Sequence, residues 1–408
     1  MSQKQTPNYT FALVIVIAVC FLIGFVTTMN NSMIESLKYA FNLNDAQANL
    51  VNTAFYGAYC LSIPFAMMMN KIGYKTTLVL GLVVVSCGFI ANYFGLTSGS
   101  DGLYNIFLGC MFIVAMGVVM LQLVANPYVM VLGAPEGGAR RMTFSQALNS
   151  VATAVAPIFI TSVILGKETS EATPADIPMP FLGLGLFTLL LAVILIFLKL
   201  PNIDEGAQAE EFSGEQKQWK SSAFKYPHVW FGALAIFMYM GLEIGIPSML
   251  PAYWKNAEAA GTPLPKSATD FLPYYWSGMM VGRFIGAAIL SKFRPRAILS
   301  FCLVMGAICV GSSFYLPGMI GVYAMLAAGL FHSVMWPLIF NLGLQDLGPN
   351  TKTASGLINM GVLGGATLPV IMALLIPSYG VGVAICMMFV YYAYVLWFTV
   401  KGCRVGLD

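Results

Sequence analysis

Twelve long apolar runs, separated by short intervals that hold nearly all the charge, dominate the chain; they cover roughly 11–33, 46–69, 76–96, 103–132, 141–165, 179–199, 227–252, 267–291, 297–316, 319–343, 353–376 and 380–400. About 20 consecutive apolar residues are what a helix needs to cross the hydrocarbon of a bilayer. Lipid offers the backbone no hydrogen-bond partners, so such runs must satisfy their own amides as helices. Of 408 residues, 58% are hydrophobic and 9% charged, against roughly a quarter charged in a soluble protein. That polar surface is too small to solvate a globule of this length, which excludes a soluble enzyme and makes the lipid bilayer a partner. The net charge of +3 is spread over loops, so no basic stripe addresses a nucleic acid. The first run is too long for a removed signal peptide and lacks a small-residue cleavage site, so it is expected to remain the first helix. Eight cysteines lie in or at the ends of the runs, without a CxxC pair or a His/Cys cluster. They read as small buried residues, and neither a metal nor a cofactor is expected.

An even number of crossings puts both termini on one side. With the N-terminus in the cytoplasm, 15 of the 20 Lys and Arg residues fall on the inner side, four (Lys38, Lys167, Lys255, Lys266) fall outside, and Arg283 lies within a run. This bias predicts cytoplasmic termini in a bacterial inner membrane. The longest polar stretch, 201–226, divides the chain into halves 1–200 and 227–408, each with six runs. No GxxxxGK[ST] pattern occurs, and the GLGLG of 183–187 sits inside an apolar run where no nucleotide reaches it.

The halves repeat. At an offset of 221, Gly57, Lys71, Lys75 and Leu78 fall on Gly278, Lys292, Arg296 and Leu299; at 210, Pro127, Leu132, Gly133 and Asn149 fall on Pro337, Leu342, Gly343 and Asn359. The matches keep the same order of runs. Two parallel six-helix halves related by an axis along the membrane normal describe the major facilitator fold, an all-α membrane architecture of twelve helices with its substrate site near the bilayer midplane.

Ionisable groups inside membrane helices cost free energy and are functional candidates by default. Glu243 in the seventh run is a candidate proton or cation site, its alternative being a carboxylate held by neighbouring helices. Arg283 in the eighth run lies roughly 13 Å from the inner end at 1.5 Å per residue, against roughly 24 Å for Glu243. Two straight helices would therefore not pair them, and Arg283 is expected to anchor inner loops or carbonyls. Glu35 and Lys38 read as a pair at the outer mouth. Amides are more numerous: Asn30, Asn31, Asn52, Gln122, Asn126, Gln146, Asn149, Asn341 and Asn359. They donate and accept, which suits the hydroxyls of a neutral sugar, or they tie helices together. Trp336, His332 and the Tyr274–Tyr275–Trp276 triplet offer faces for a sugar ring, or belong to aromatic belts. Pro127 and Pro337 remove a helix hydrogen bond at matched positions, as bending points or static kinks. Lys71 and Lys75 at the inner end of the second run either lock one state of a transporter by bonding to helix ends or only mark the inner side.

The segments AFNLNDAQANLVNTAFYGAYCLSIPFAMMMNKIGYK (40–75), VANPYVMVLG (124–133), RMTFSQALNS (141–150), GRFIGAAILSKFRP (282–295) and MWPLIFNLGL (335–344) resemble the fucose–proton and glucose/galactose symporter family of the major facilitator superfamily. The resemblance runs through nearly the whole chain. It implies a sugar site in the first half, where Gln146 and Asn149 contact hydroxyls beside residues of the first and fourth spans. It also exposes a departure. Proton-coupled relatives carry carboxylates in spans one and four, and the positions aligned with them here are Asn31 and Gln122, neither of which titrates.

The expected protein is thus a sugar transporter, not an enzyme, taking up a neutral hexose or deoxyhexose by alternating access and sufficient as a monomer. The substrate-site residues are Asn31, Gln122, Asn126, Gln146, Asn149, Trp336 and Asn359; the gating residues are Lys71, Lys75, Pro127, Arg283 and Pro337. Three routes remain open for coupling: a carboxylate moved to Glu243 or Glu35, sodium in place of the proton, or an uncoupled facilitator. An exporter of apolar molecules is the competing class, and the amides speak against it.

Overall fold

The computed structural model describes residues 9–43, 45–99, 102–159, 173, 177–201, 218–259, 271–316 and 318–407. Among them all regular structure is helical. Most of the proposed 201–226 linker lies outside the described residues, as do the loops around 160–172 and 260–270.

The helices follow the apolar runs. They are α1 (Thr10–Ala40), α2 (Asp45–Gly57), α3 (Ser62–Thr97), α4 (Leu103–Val131), α5 (Gly138–Phe159), α6 (Pro178–Phe197), α7 (Pro227–Glu243), α8 (Gly245–Ala259), α9 (Leu272–Ile289), α10 (Pro295–Tyr315), α11 (Gly318–His332), α12 (Met335–Gly343), α13 (Thr351–Met360), α14 (Gly364–Tyr379) and α15 (Val381–Val400). Nine stretches among the described residues are long and apolar enough to cross a bilayer. One of them, Leu50–Thr97, is 48 residues long, enough for two crossings of about 20 residues each, and Gly73 at φ 79° divides α3 into two helices at a kink. The remaining crossings are α5 and α9, where Arg140 and Arg141 in one and Arg283 among polar aromatics in the other dilute the apolar character. The chain is an all-α protein of twelve membrane helices.

Two compact units divide it: residues 1–58 with 65–217, and 59–64 with 218–408. In the first unit α1 packs on α4 and α5. Their contact is close because Gly24 presents no side chain to Asn149, whose Nδ2 donates to the Cys20 carbonyl at 2.7 Å. Carbonyls left open at helix ends are capped by side chains. Lys75 Nζ donates to Ile196 O at the end of α6 (2.8 Å). Arg141 donates to Val129 O and Ala134 O (both 3.0 Å) and to Met130 O, closing the end of α4.

In the second unit α7 is the central helix, packed on α12, α13, α14 and α15. Just ahead of it, Trp219 lies against Gly348, Lys220 Nζ donates to Gly406 O (2.8 Å) and Asn350 Nδ2 donates to Lys220 O (2.9 Å). Three spans are interrupted here: between α7 and α8, between α11 and α12, and between α13 and α14. Pro337 follows the second interruption by four residues, whereas Pro127 sits inside the unbroken α4. The two matched prolines therefore do different things to their helices.

Candidate functional site

In the first unit the amides pair between helices, α1 with α2 and α4 with α5. Thr27 and Asn30 are three residues apart on α1, and Gln122 and Asn126 four apart on α4, so each pair shares one helix face. Asn30 Nδ2 donates to Asn52 Oδ1 of α2 at 3.3 Å, and Gln146 Nε2 of α5 donates to Asn126 Oδ1 at 3.4 Å. Three oxygens on two of these helices, Thr27 Oγ1 and Asn30 Oδ1 on α1 and Gln122 Oε1 on α4, are buried and accept no hydrogen bond within the described residues. A buried acceptor left unmatched costs about 1–3 kcal/mol, so the cluster is poised to accept from hydroxyl donors. Asn149 differs, because its Nδ2 is committed to the α1 backbone. The side chains of Asn31 and Glu35 lie outside the described residues, although α1 continues past both to Ala40. Lys71 is exposed at the turn beside Gly73.

The other proposed site residues belong to the second unit. Asn359 is buried on α13, with Nδ2 donating to Ser62 Oγ (3.4 Å) and Oδ1 unmatched. Trp336 stacks on Phe340 with ring centroids 5.1 Å apart. Tyr275 and His332, proposed as faces for a sugar, are instead fully buried in a polar chain. Tyr275 Oη donates to the Glu243 carbonyl (3.1 Å) and lies 2.8 Å from His332 Nδ1, and His332 Nε2 lies 2.5 Å from Tyr392 Oη. Tyr239 Oη donates to the His332 carbonyl (3.0 Å).

The axial arithmetic that separated Glu243 from Arg283 is corrected: Arg283 Nη2 lies 3.7 Å from Glu243 Oε1, and both side chains are about nine-tenths buried. Side chains on a helix lean toward its N-terminus. Successive spans run in opposite directions, so Glu243 and Arg283 lean toward one another and the guanidinium closes the remaining gap. The same guanidinium reaches a backbone carbonyl, Nε donating to Ser333 O at 3.2 Å. Sequence reasoning picked out both charged residues and missed the tyrosine–histidine chain around them. The signal was present in Pro247 and Pro337, each of which strips a carbonyl of its helical donor and so demands another.

A bilayer-spanning helical bundle with a cluster of open amide acceptors in one unit and a buried ion pair in the other is built like a carrier of small polar solutes. The chain belongs to the Major Facilitator Superfamily, whose family model matches residues 16–369; its members are transporters and not enzymes. It is 36% identical to the glucose/galactose transporter of Brucella abortus over 409 residues, covering 99% of this chain and 96% of the relative. It is 28% identical to the L-fucose-proton symporter of Escherichia coli, covering 92% and 89%. A crystal structure of a Major Facilitator Superfamily transporter, FucP, in the outward conformation, superposes with a TM-score of 0.81 at 24% identity over 96% of this chain and 99% of the other. That likeness shows the fold.

Proposed function

We propose that this transporter moves a neutral hexose or deoxyhexose into a bacterial cell across the inner membrane by alternating access, with a cation as co-substrate and both termini in the cytoplasm. The observation that carries the reading is the amide cluster of α1, α2, α4 and α5, with three buried acceptors open to hydroxyl donors. An anionic substrate would call for arginine or lysine there, and the described side chains of the cluster carry no charge. An apolar solute would leave those acceptors unmatched. The names of the relatives, glucose/galactose transporter and L-fucose-proton symporter, support the same substrate class and favour a proton over sodium. A monomer suffices for the mechanism.

A second reading has one observation behind it. Gln122 stands where the fucose–proton pattern has a carboxylate, and a glutamine does not titrate, so an uncoupled facilitator fits the first unit equally well. Uptake of labelled fucose, glucose, galactose and N-acetylglucosamine into proteoliposomes, with a proton gradient, a sodium gradient or neither, decides between them. Accumulation of one sugar under a proton gradient supports symport. Equilibration under all three conditions supports the facilitator, and no flux of any sugar overturns the substrate class.

A further inference from the structure

A proline leaves the carbonyl four residues earlier without its helical donor. In the second unit this happens at two helix breaks: Pro247 orphans the carbonyl of Glu243, where α7 ends, and Pro337 orphans that of Ser333, between α11 and α12. Both carbonyls receive their hydrogen bond from α9. Tyr275 Oη serves Glu243 O at 3.1 Å, and Arg283 Nε serves Ser333 O at 3.2 Å. Helix α9 comes this near because Gly282 and Gly329 are bare; a side chain at Gly282 would strike Ser333 Oγ and the Leu330 carbonyl, and one at Gly329 would strike the Tyr275 backbone and ring.

Arg283 does more than cap. Its Nη2 is the partner of the Glu243 carboxylate at 3.7 Å, so one guanidinium ties the acid at the first break to the carbonyl at the second. The hydrogen count fixes the rest of the chain. Tyr275 spends its only proton on the Glu243 carbonyl, so it accepts from His332 Nδ1–H, and Nε2 of a neutral imidazole then accepts from Tyr392. Both imidazole nitrogens are thereby engaged.

We propose that Glu243 is the carboxylate that carries the coupling proton, and that Arg283 is its positioning residue and internal counter-charge, linking the state of the acid to the two helix breaks. This rests on the transport reading above. A proton from the outer water adds to one carboxylate oxygen and yields the neutral acid; Arg283 keeps its own protons and its bond to Ser333 and loses only the electrostatic tie to Glu243. Loss of that proton to the inner water restores the pair. Among the described residues the titratable or charged groups placed with Glu243 are Tyr239 on its own helix, Tyr275 and Arg283 from α9 and, through Tyr275, His332 from α11 and Tyr392 from α15. None is a second carboxylate, and a fixed guanidinium occupies the place where a metal cation would need oxygen ligands, which favours the proton over sodium.

The test measures two quantities in proteoliposomes: exchange of labelled for unlabelled sugar, and accumulation driven by an inward proton gradient. Wild-type protein is expected to do both. E243Q is expected to exchange and to stop accumulating. R283Q alone leaves a buried unpaired acid and is expected to lose accumulation; R283K, which keeps the charge, is expected to recover part of it. The double variant E243Q/R283Q carries no lone buried charge and is expected to fold, exchange and fail to accumulate. Wild-type-like accumulation by E243Q or by the double variant overturns the assignment. Exchange and accumulation falling in equal proportion through the whole series also overturns it, since that is the mark of a purely structural pair. Absence of exchange in the wild type would instead overturn the transport reading.

Discussion

Gln122 keeps its side-chain oxygen buried and unmatched one turn from Asn126 on α4, and a sugar hydroxyl is the donor proposed for it. Gln122→Leu is expected to weaken sugar binding by about 1–3 kcal/mol, or roughly 5- to 150-fold in Kd, which a calorimetric titration of purified protein measures. Asn149 acts on the scaffold through the Cys20 carbonyl. Asn149→Ala is expected to cost about 1 kcal/mol of stability, and a loss of sugar affinity beyond that would give its oxygen the hydroxyl contact that the family resemblance implies. Gly24→Ala would bring a methyl group to 2.6 Å from Asn149 Nδ2 and from its carbonyl oxygen. Overpacking of that kind costs about 1–3 kcal/mol, visible as a lower Tm in detergent. The sequence alone showed that these amides are polar groups in apolar runs. It did not show which were already spoken for, because the partner of Asn149 is a backbone carbonyl on a helix far earlier in the chain.

At the scale of helices, run length and charge spacing located every span, since the price of an unsatisfied amide in lipid leaves the backbone no other choice. The interruptions were less legible. Pro127 and Pro337 match by position, yet α4 runs straight through the first and the second follows a break. Pro247, which no repeat match marked, attends the break at Glu243. A double-mutant cycle isolates its effect. Tyr275→Phe in the natural background leaves the Glu243 carbonyl unmatched and is expected to cost about 1–3 kcal/mol. In a Pro247→Ala background the new backbone N–H is positioned to serve that carbonyl, so the same substitution is expected to cost clearly less, and equal costs in the two backgrounds would rule the interpretation out. The Glu243–Arg283 pair escaped sequence reading for a related reason: counting rise per residue places Cα atoms and ignores the lean of long side chains.

For the whole molecule, the family and fold were readable because twelve spans, a central polar stretch and a half-chain repeat all agree. The orientation rests on the distribution of lysine and arginine, and it makes a prediction: a reporter that fluoresces only in the cytoplasm is expected to be bright when fused after the C-terminal residue. One active only outside the inner membrane is expected to be silent there. The opposite pattern would reverse the topology and, with it, the direction assigned to uptake. Substrate identity was not legible at this scale, since hexoses differ by single hydroxyl configurations that a cluster of adaptable amides does not distinguish by composition.

The clasp formed by Trp219 and Lys220 against Gly348, Asn350 and Gly406 sets where this gene can be cut. The long stretch of the second unit begins at Gln218, several residues before the first turn of α7. A carboxy-terminal fragment for complementation or for circular permutation therefore has to start no later than Gln218. One begun at Pro227, where the hydrophobic run starts, would leave behind the tryptophan that covers the turn before α13 and the lysine that fastens the end of the chain.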